Sequence, residues 1–279
     1  MSTIVSAASR RARRPRYLST AFGILVVVIM LFPVYWMVNA SLQRGGSAIG
    51  STLIPINLSW SGYEAALREQ GQNLVTSIIV SAGTVAFTLL ISVPAAYILA
   101  KFVRRGTSIF ILALLVAQMV PGIVLANALY SVYSSLGILN SIPGLILADA
   151  SRCIPFSIIL LRAFMLALPS ELLEAARIDG ASHFRAFRSI ALPLSQNAII
   201  TAGLFSFLFT WGDFIFAVTL TTTADVRPIT LGIYNYLAAQ QQEWGPVMAT
   251  SVIAALPAMI ILMAAQRYIT AGSLSGALK

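Results

Sequence analysis

Five runs of this sequence, 17–43, 74–100, 106–148, 189–212 and 244–266, contain no Asp, Glu, Lys or Arg. Each is longer than the roughly 20 apolar residues that a helix needs to cross a bilayer. The third is 43 residues long, too long for one crossing. It contains Ser134-Ser135-Leu136-Gly137 and Asn140-Ser141-Ile142-Pro143, which read as a turn between two spans. A further span through 149–167 carries charges within it. The pattern predicts an all-α membrane protein with six transmembrane helices, at about 18–40, 74–99, 107–133, 142–167, 194–220 and 246–268. Charged residues are only 10% of the chain and hydrophobic ones 58%, against about 25% charge in a soluble domain. Lipid is therefore the expected solvent.

A net charge of +9 raises the question of a nucleic-acid partner. With the N-terminus in the cytosol, Arg10, Arg11, Arg13, Arg14, Arg16, Lys101, Arg104, Arg105, Arg162, Arg177, Arg185, Arg188, Arg267 and Lys279 fall on the cytosolic side, 14 of the 18 basic residues. Arg44, Arg68 and Arg227 fall outside, and Arg152 within a span. This asymmetry follows the positive-inside rule and predicts a multi-pass protein with both termini cytosolic. The basic charge is then topological, and no nucleic acid is expected. A secretory signal at the N-terminus is disfavoured by the length of the apolar run and the lack of a small-residue cleavage site. Residues 1–16 read as a basic cytosolic tail, 17–268 as the transmembrane domain and 269–279 as a second cytosolic tail. Segment 41–73 suits a loop with a short interfacial amphipathic helix. Pro33, Pro94, Pro121, Pro155 and Pro257 fall inside spans and predict kinks. The single Cys153 excludes an internal disulfide and has no metal-ligand company.

Between the fourth and fifth spans, 169–193 reads as a cytosolic loop of two short helices. Ser170 can cap the first, with Glu171 at the positive end of its dipole. Gly180 suits the left-handed residue that ends it, Ser182 can cap the second, and Pro193 opens the next span. Ala175 and Ala176 allow close approach of another surface, while Phe184 and Phe187 offer apolar contact. A plain amphipathic hairpin is one reading. A DNA-binding helix-turn-helix is poor, because about 25 residues between two spans leave no room for a folded reader.

The pattern Glu174-Ala175-Ala176, three residues, Gly180, nine residues, Ile190-Ala191-Leu192-Pro193 resembles, without deviation, the signature loop of membrane subunits of ATP-binding-cassette importers. Leu31-Phe32-Pro33-Val34-Tyr35-Trp36-Met37, residues 73–97 ending Ala95-Ala96-Tyr97, and Gln266-Arg267 followed by Gly272-Ser273-Leu274-Ser275-Gly276-Ala277 look like the carbohydrate branch, most like the MalG-type subunit of maltose, trehalose and glycerol-phosphate importers. The resemblance covers nearly the whole chain. It implies a subunit of the bacterial cytoplasmic (inner) membrane that imports a sugar-type solute by alternating access. Its implied partners are a second homologous membrane subunit, two ATPase subunits and an extracytoplasmic solute-binding protein. Glu174, Ala175, Ala176, Asp179, Gly180, Ala181, His183, Phe184 and Phe187 are then the coupling residues that enter an ATPase cleft. No Gly-rich phosphate loop ending in Lys-Ser/Thr occurs in the chain. No catalytic residue, metal or cofactor is expected here, and Mg-ATP belongs on the partner subunits.

Three charges within the bilayer each cost about 2.5–3.5 kcal/mol on insertion scales. Asp149 and Arg152, three apart, can satisfy each other on one helix face or line the solute path. Asp213, in Trp211-Gly212-Asp213-Phe214, has no cation near it in sequence. A Trp face against a sugar ring and a carboxylate accepting from hydroxyls is one reading of Trp211 and Asp213; a bond to a neighbouring subunit is the other. His183, the only histidine, reads as a contact or solvated residue. The competing function is a secondary transporter driven by an ion gradient, which would call for inverted repeats and several membrane carboxylates.

Overall fold

The computed structural model describes residues 16–43, 52–55, 57–102, 105–223, 225–238 and 244–274. The expected basic tail, apart from Arg16, lies outside the described residues. All the regular elements described are helical, and the one β-contact among these residues is an isolated bridge between Gln43 and Leu58.

Helix α1 (Arg16–Ser41) packs along α12 (Trp244–Leu274) and otherwise presents its apolar side chains outward. Helix α2 (Ser61–Lys101) is unbroken for 41 residues, about 60 Å at 1.5 Å per residue. That is a correction to the expected loop with a separate interfacial helix. The segment from Ser61 onward contains no proline before Pro94, so its amphipathic turns run straight into the span. On its inner face Ser77, Ser81, Thr84, Thr88 and Ser92 are buried, three or four residues apart. These small side chains let α5 (Ile142–Leu166) and α9 (Gln196–Trp211) approach closely. Across the α5–α9 seam the Ser157 and Ser206 hydroxyls meet at 3.3 Å.

The span expected at 107–133 is not one helix. Helices α3 (Thr107–Gln118) and α4 (Gly122–Leu136) meet at 91°. Pro121, at φ −59° and ψ 135°, cannot donate a helical hydrogen bond and its ring crowds the carbonyl four residues back. Pro33, Pro94, Pro155 and Pro257 lie inside continuous helices. The turn expected near 134–143 is present. Gly137 has φ 68° and Asn140 φ 54°, and Ser141 caps α5 by accepting from the Gly144 N–H at 3.1 Å. The Asn140 Oδ1 accepts from the Thr222 and Thr223 N–H groups at 2.6 and 3.0 Å, pinning this turn to the segment after α10 (Ile215–Leu220).

The loop after α5 forms α6 (Ser170–Ile178), α7 (His183–Ala186), a π-helical turn at Phe187–Ala191, and α8 (Leu192–Leu194). The chain then bends by 74° into α9. After α10 come α11 (Ile229–Ala238) and α12, whose helix runs to Leu274, into the stretch expected as a tail. Among the described residues four helices, α1, α2, α5 and α12, are long and apolar enough to cross a membrane alone, and counting each bent pair as one span gives up to six.

Candidate functional site

The hairpin is built by local chemistry. Pro169, not Ser170, occupies the N-cap of α6, and no side chain caps it; Ser170 is already the first helical residue, so its hydroxyl has lost the capping position. At the other end Gly180 has φ 84°. The Ala181 N–H reaches the Ala176 carbonyl at 2.9 Å and the Gly180 N–H the Arg177 carbonyl at 3.0 Å, the bonding that closes a helix through a left-handed residue. Ser182 caps α7, its Oγ accepting from the Arg185 N–H at 3.2 Å. Pro193 lacks a donor for the helical bond to the carbonyl four residues back. The chain widens into a π turn just before it, with the Leu192 N–H donating to the Phe187 carbonyl.

The hairpin has a rooted side and a free side. Leu173, Ala186 and Ala191 are buried with Val93, Ala96 and Tyr97 of α2, Leu161 and Met165 of α5, and Ala198 and Ala202 of α9. The Tyr97 ring lies 4.8 Å from Phe187 and 5.6 Å from Phe102, and Phe102 meets His183 edge-on at 5.1 Å. Lys101 Nζ donates to the Leu168 carbonyl at 2.6 Å and Arg162 Nε to the Leu99 carbonyl at 3.3 Å, binding the end of α2 to the end of α5. Glu174, Ala175, Asp179, Gly180, His183 and Phe184 are exposed, while Ala176, Ala181 and Phe187 are half-buried. Tyr97, Phe102 and Leu173 carry the docking, and sequence reasoning missed that role. The one signal available was the aromatic pair flanking Lys101 at the membrane edge.

Within the helices lies a cavity that opens to the outside, about 630 Å³ with its open mouth included. Gln118 of α3 and Val120 of the 91° elbow face Asp149, Arg152, Cys153 and Phe156 of α5, with Phe209 of α9 and Asp213 completing the wall. Asp149, Arg152 and Asp213 are thus brought together. They are not paired as a salt bridge. Among the described residues the one ion pair within 4.0 Å is the surface contact of Arg68 with Glu69, at 3.5 Å. The Arg152 guanidinium lies instead over Gly122 at the start of α4, where an added Cβ would sit 3.4 Å from Nη1.

Asp213 occupies a break between α9 and α10. Its Oδ2 accepts from the Phe216 and Ala217 N–H groups at 3.0 and 3.1 Å, and its carbonyl accepts from Thr230 Oγ1 at 2.7 Å. Trp211 does not share the cavity with it. The indole is buried, stacked on Phe207 at 5.4 Å, and its Nε1 donates to the Ala254 carbonyl of α12 at 3.0 Å. Phe209 and Trp211 are two residues apart on α9, about 200° of helix, so Trp211 faces the side opposite the Phe209 that lines the cavity. The aromatic wall of the cavity is Phe156 and Phe209, edge-to-face at 5.7 Å.

Residues 92–273, which hold the hairpin and most of the cavity wall, match the family described as binding-protein-dependent transport system inner membrane component. The chain belongs to this family. This inner membrane transport component is 32% identical over 260 residues to a probable ABC transporter permease protein, YurM, of Bacillus subtilis, covering 92% of this chain and 87% of the relative. It is 31% identical to the trehalose transport system permease protein SugB of Mycobacterium tuberculosis (96% and 99% covered). Against the trehalose/maltose transport system permease protein MalG of Thermococcus litoralis it is 32% identical (92% and 94%). A chain of a solved bacterial ABC transporter that imports the acidic polysaccharide alginate shares its fold, with TM-score 0.81, 21% identity and 95% and 99% coverage. The inner membrane transport component is therefore a multi-pass, non-catalytic permease of an ATP-binding-cassette importer, with the ATPase on a separate subunit. That decides against the ion-gradient alternative.

Proposed function

We propose that this permease crosses the inner membrane six times, with both termini in the cytosol, and imports a sugar or sugar-like solute by alternating access. It pairs with a second homologous membrane subunit, receives solute from an extracytoplasmic binding protein and is driven by Mg-ATP on two partner ATPase subunits. The observation that carries the reading is the two-sided hairpin. Its Glu174, Ala175, Asp179 and Gly180 side is exposed for an ATPase cleft, while Leu173, Ala186 and Phe187 root it in the α2–α5–α9 bundle, of which α5 and α9 also wall the cavity. A push on the hairpin is then a push on the helices around the solute.

The sugar class rests on relatives whose names specify trehalose, maltose and diacetylchitobiose. A cavity combining the Phe156 and Phe209 rings with the polar groups of Gln118, Asp149 and Asp213 suits a hydroxylated ring, apolar on its faces and polar at its rim. A relative's structure bound to a pentasaccharide-loaded periplasmic protein supports the same docking arrangement here. The test is reconstitution with the co-purified membrane and ATPase partners in liposomes. ATP-dependent uptake of a labelled di- or oligosaccharide, present only with the loaded binding protein, is the expected result. Uptake that follows an ion gradient without ATP would overturn the proposal.

A further inference from the structure

Behind the open cavity lies a smaller one, about 230 Å³ in all, with space for about one water-sized particle. Asp149 and Asp213 line both cavities; the inner one adds Ser77, Ser81, Thr210, Ala217 and Pro228. One of its hydroxyls, Ser81 Oγ, is buried with no hydrogen-bond partner in a residue 1% exposed, and Thr210 Oγ1, in a residue 7% exposed, has the weakly bonding Cys153 thiol beside it. Asp149 is 6% exposed, and no hydrogen bond or close ion pair reaches its carboxylate among the described residues. Buried polar groups in folded proteins are satisfied in the great majority, so an unpartnered hydroxyl and an unpartnered carboxylate around one small void mark a ligand position.

The charge of the site selects the ligand. With both carboxylates ionised, the inner cavity carries two negative charges, and the Arg152 guanidinium of the adjoining outer cavity offsets one of them (−2 + 1 = −1) in a low-dielectric surround. Water satisfies hydroxyls but leaves that charge in place. All the side-chain donors on offer are oxygens, the preference of a hard cation. A divalent ion fits less well, because Asp213 Oδ2 already accepts two backbone N–H groups and no three His, Cys, Asp or Glu side chains among the described residues are placed to hold a metal ion together. The site also sits where α9 gives way to α10, and interrupted membrane helices are where cations are held by unwound chain and side-chain oxygens.

We propose that this inner cavity binds one alkali cation, held by the Asp149 and Asp213 carboxylates and the Ser81 and Thr210 hydroxyls. The ion locks α2, α5 and the α9–α10 break together, whatever solute passes the outer cavity. The full chain in phosphatidylcholine nanodiscs, unfolded thermally in NaCl, KCl or choline chloride at equal ionic strength, gives the test. The expected result is a saturable rise in Tm of about 3 °C with Na⁺ or K⁺ and none with choline. Ser81→Ala, a small change that leaves the carboxylates in place, should raise the half-saturating concentration about tenfold, roughly the worth of one buried ligand contact. Asp149→Asn should abolish the cation dependence. Equal Tm in all three salts overturns the proposal. So does a Tm that rises in choline chloride on acidification and is indifferent to Na⁺ and K⁺, since a shared proton would then fill the role.

Discussion

The ring of Tyr97, one turn from the end of α2, lies 4.8 Å from the ring of Phe187, the residue at which the hairpin widens into its π turn. This contact joins the hairpin proposed to enter an ATPase cleft with α2, and it sits beside Phe102 and His183.

Tyr97→Ala removes that joint. An aromatic pair contributes about 0.5–1.5 kcal/mol beyond its buried area, enough to loosen the hairpin without unfolding the membrane helices. In reconstituted complexes, basal ATP hydrolysis should persist while its stimulation by loaded binding protein falls several-fold. Tyr97→Phe keeps the ring and should behave as wild type. Equal loss in both variants would place the effect in the hydroxyl and not in the packing.

Gly180 gives a cleaner test, because a Cβ there would meet no atom within 4 Å and only the φ of 84° resists it. A β-branched residue in the left-handed region costs about 1–2 kcal/mol, whereas Asn tolerates it. Gly180→Val should therefore uncouple transport from ATP hydrolysis and speed amide exchange across 170–186, with normal insertion. Gly180→Asn should retain most coupling. Similar defects in both would mean that the missing side chain, not the backbone, is what the ATPase requires.

The hairpin was legible because its determinants are local. Gly180 and Ser182 act within three or four residues of themselves, and the helix they end or begin follows. The five prolines were legible only as a set. One of them, Pro121, breaks its helix, and Gly122 beside it leaves room for Arg152 Nη1 and Ile215 from two other elements. No local reading supplies those neighbours. Trp211 and Asp213 were linked by adjacency in sequence, but the chain leaves the helix after Trp211, whose ring turns to Phe207 and α12, and Phe209 with Phe156 forms the cavity's aromatic wall. The length of α2 was hidden because polar residues such as Gln70, Gln72 and Asn73 look like a loop until they are seen continuing a helix.

Arg152 is the sole cation among the side chains lining either cavity. Arg152→Gln leaves two facing carboxylates, and should lower both folded yield and transport more than the double variant Arg152→Gln with Asp149→Asn. Coupling energies between neighbouring groups are commonly about 0.5–3 kcal/mol, so a double-mutant cycle on yield and initial transport rate should show clear non-additivity. Additive effects would mean that Arg152 acts on α4 through Gly122 and not on the carboxylates.

Asp213 combines two functions that two substitutions separate. Its Oδ2 accepts the Phe216 and Ala217 N–H groups and so starts α10, and its charge belongs to the cavity. Asp213→Ala removes both; loss of such a cap costs about 0.5–2 kcal/mol, so Tm in choline chloride should fall by a few degrees. Asp213→Asn keeps an oxygen that can accept the same N–H groups and removes only the charge. Its Tm in choline chloride should stay near wild type while solute uptake slows, because charge-assisted hydrogen bonds are roughly twice as strong as neutral ones. Basal ATP hydrolysis and assembly with the second membrane subunit should be unchanged in the Asn variant. Loss of assembly would make Asp213 an anchor between subunits. Unchanged uptake with a falling Tm only in the Ala variant would reduce the residue to a helix cap and remove it from the solute path.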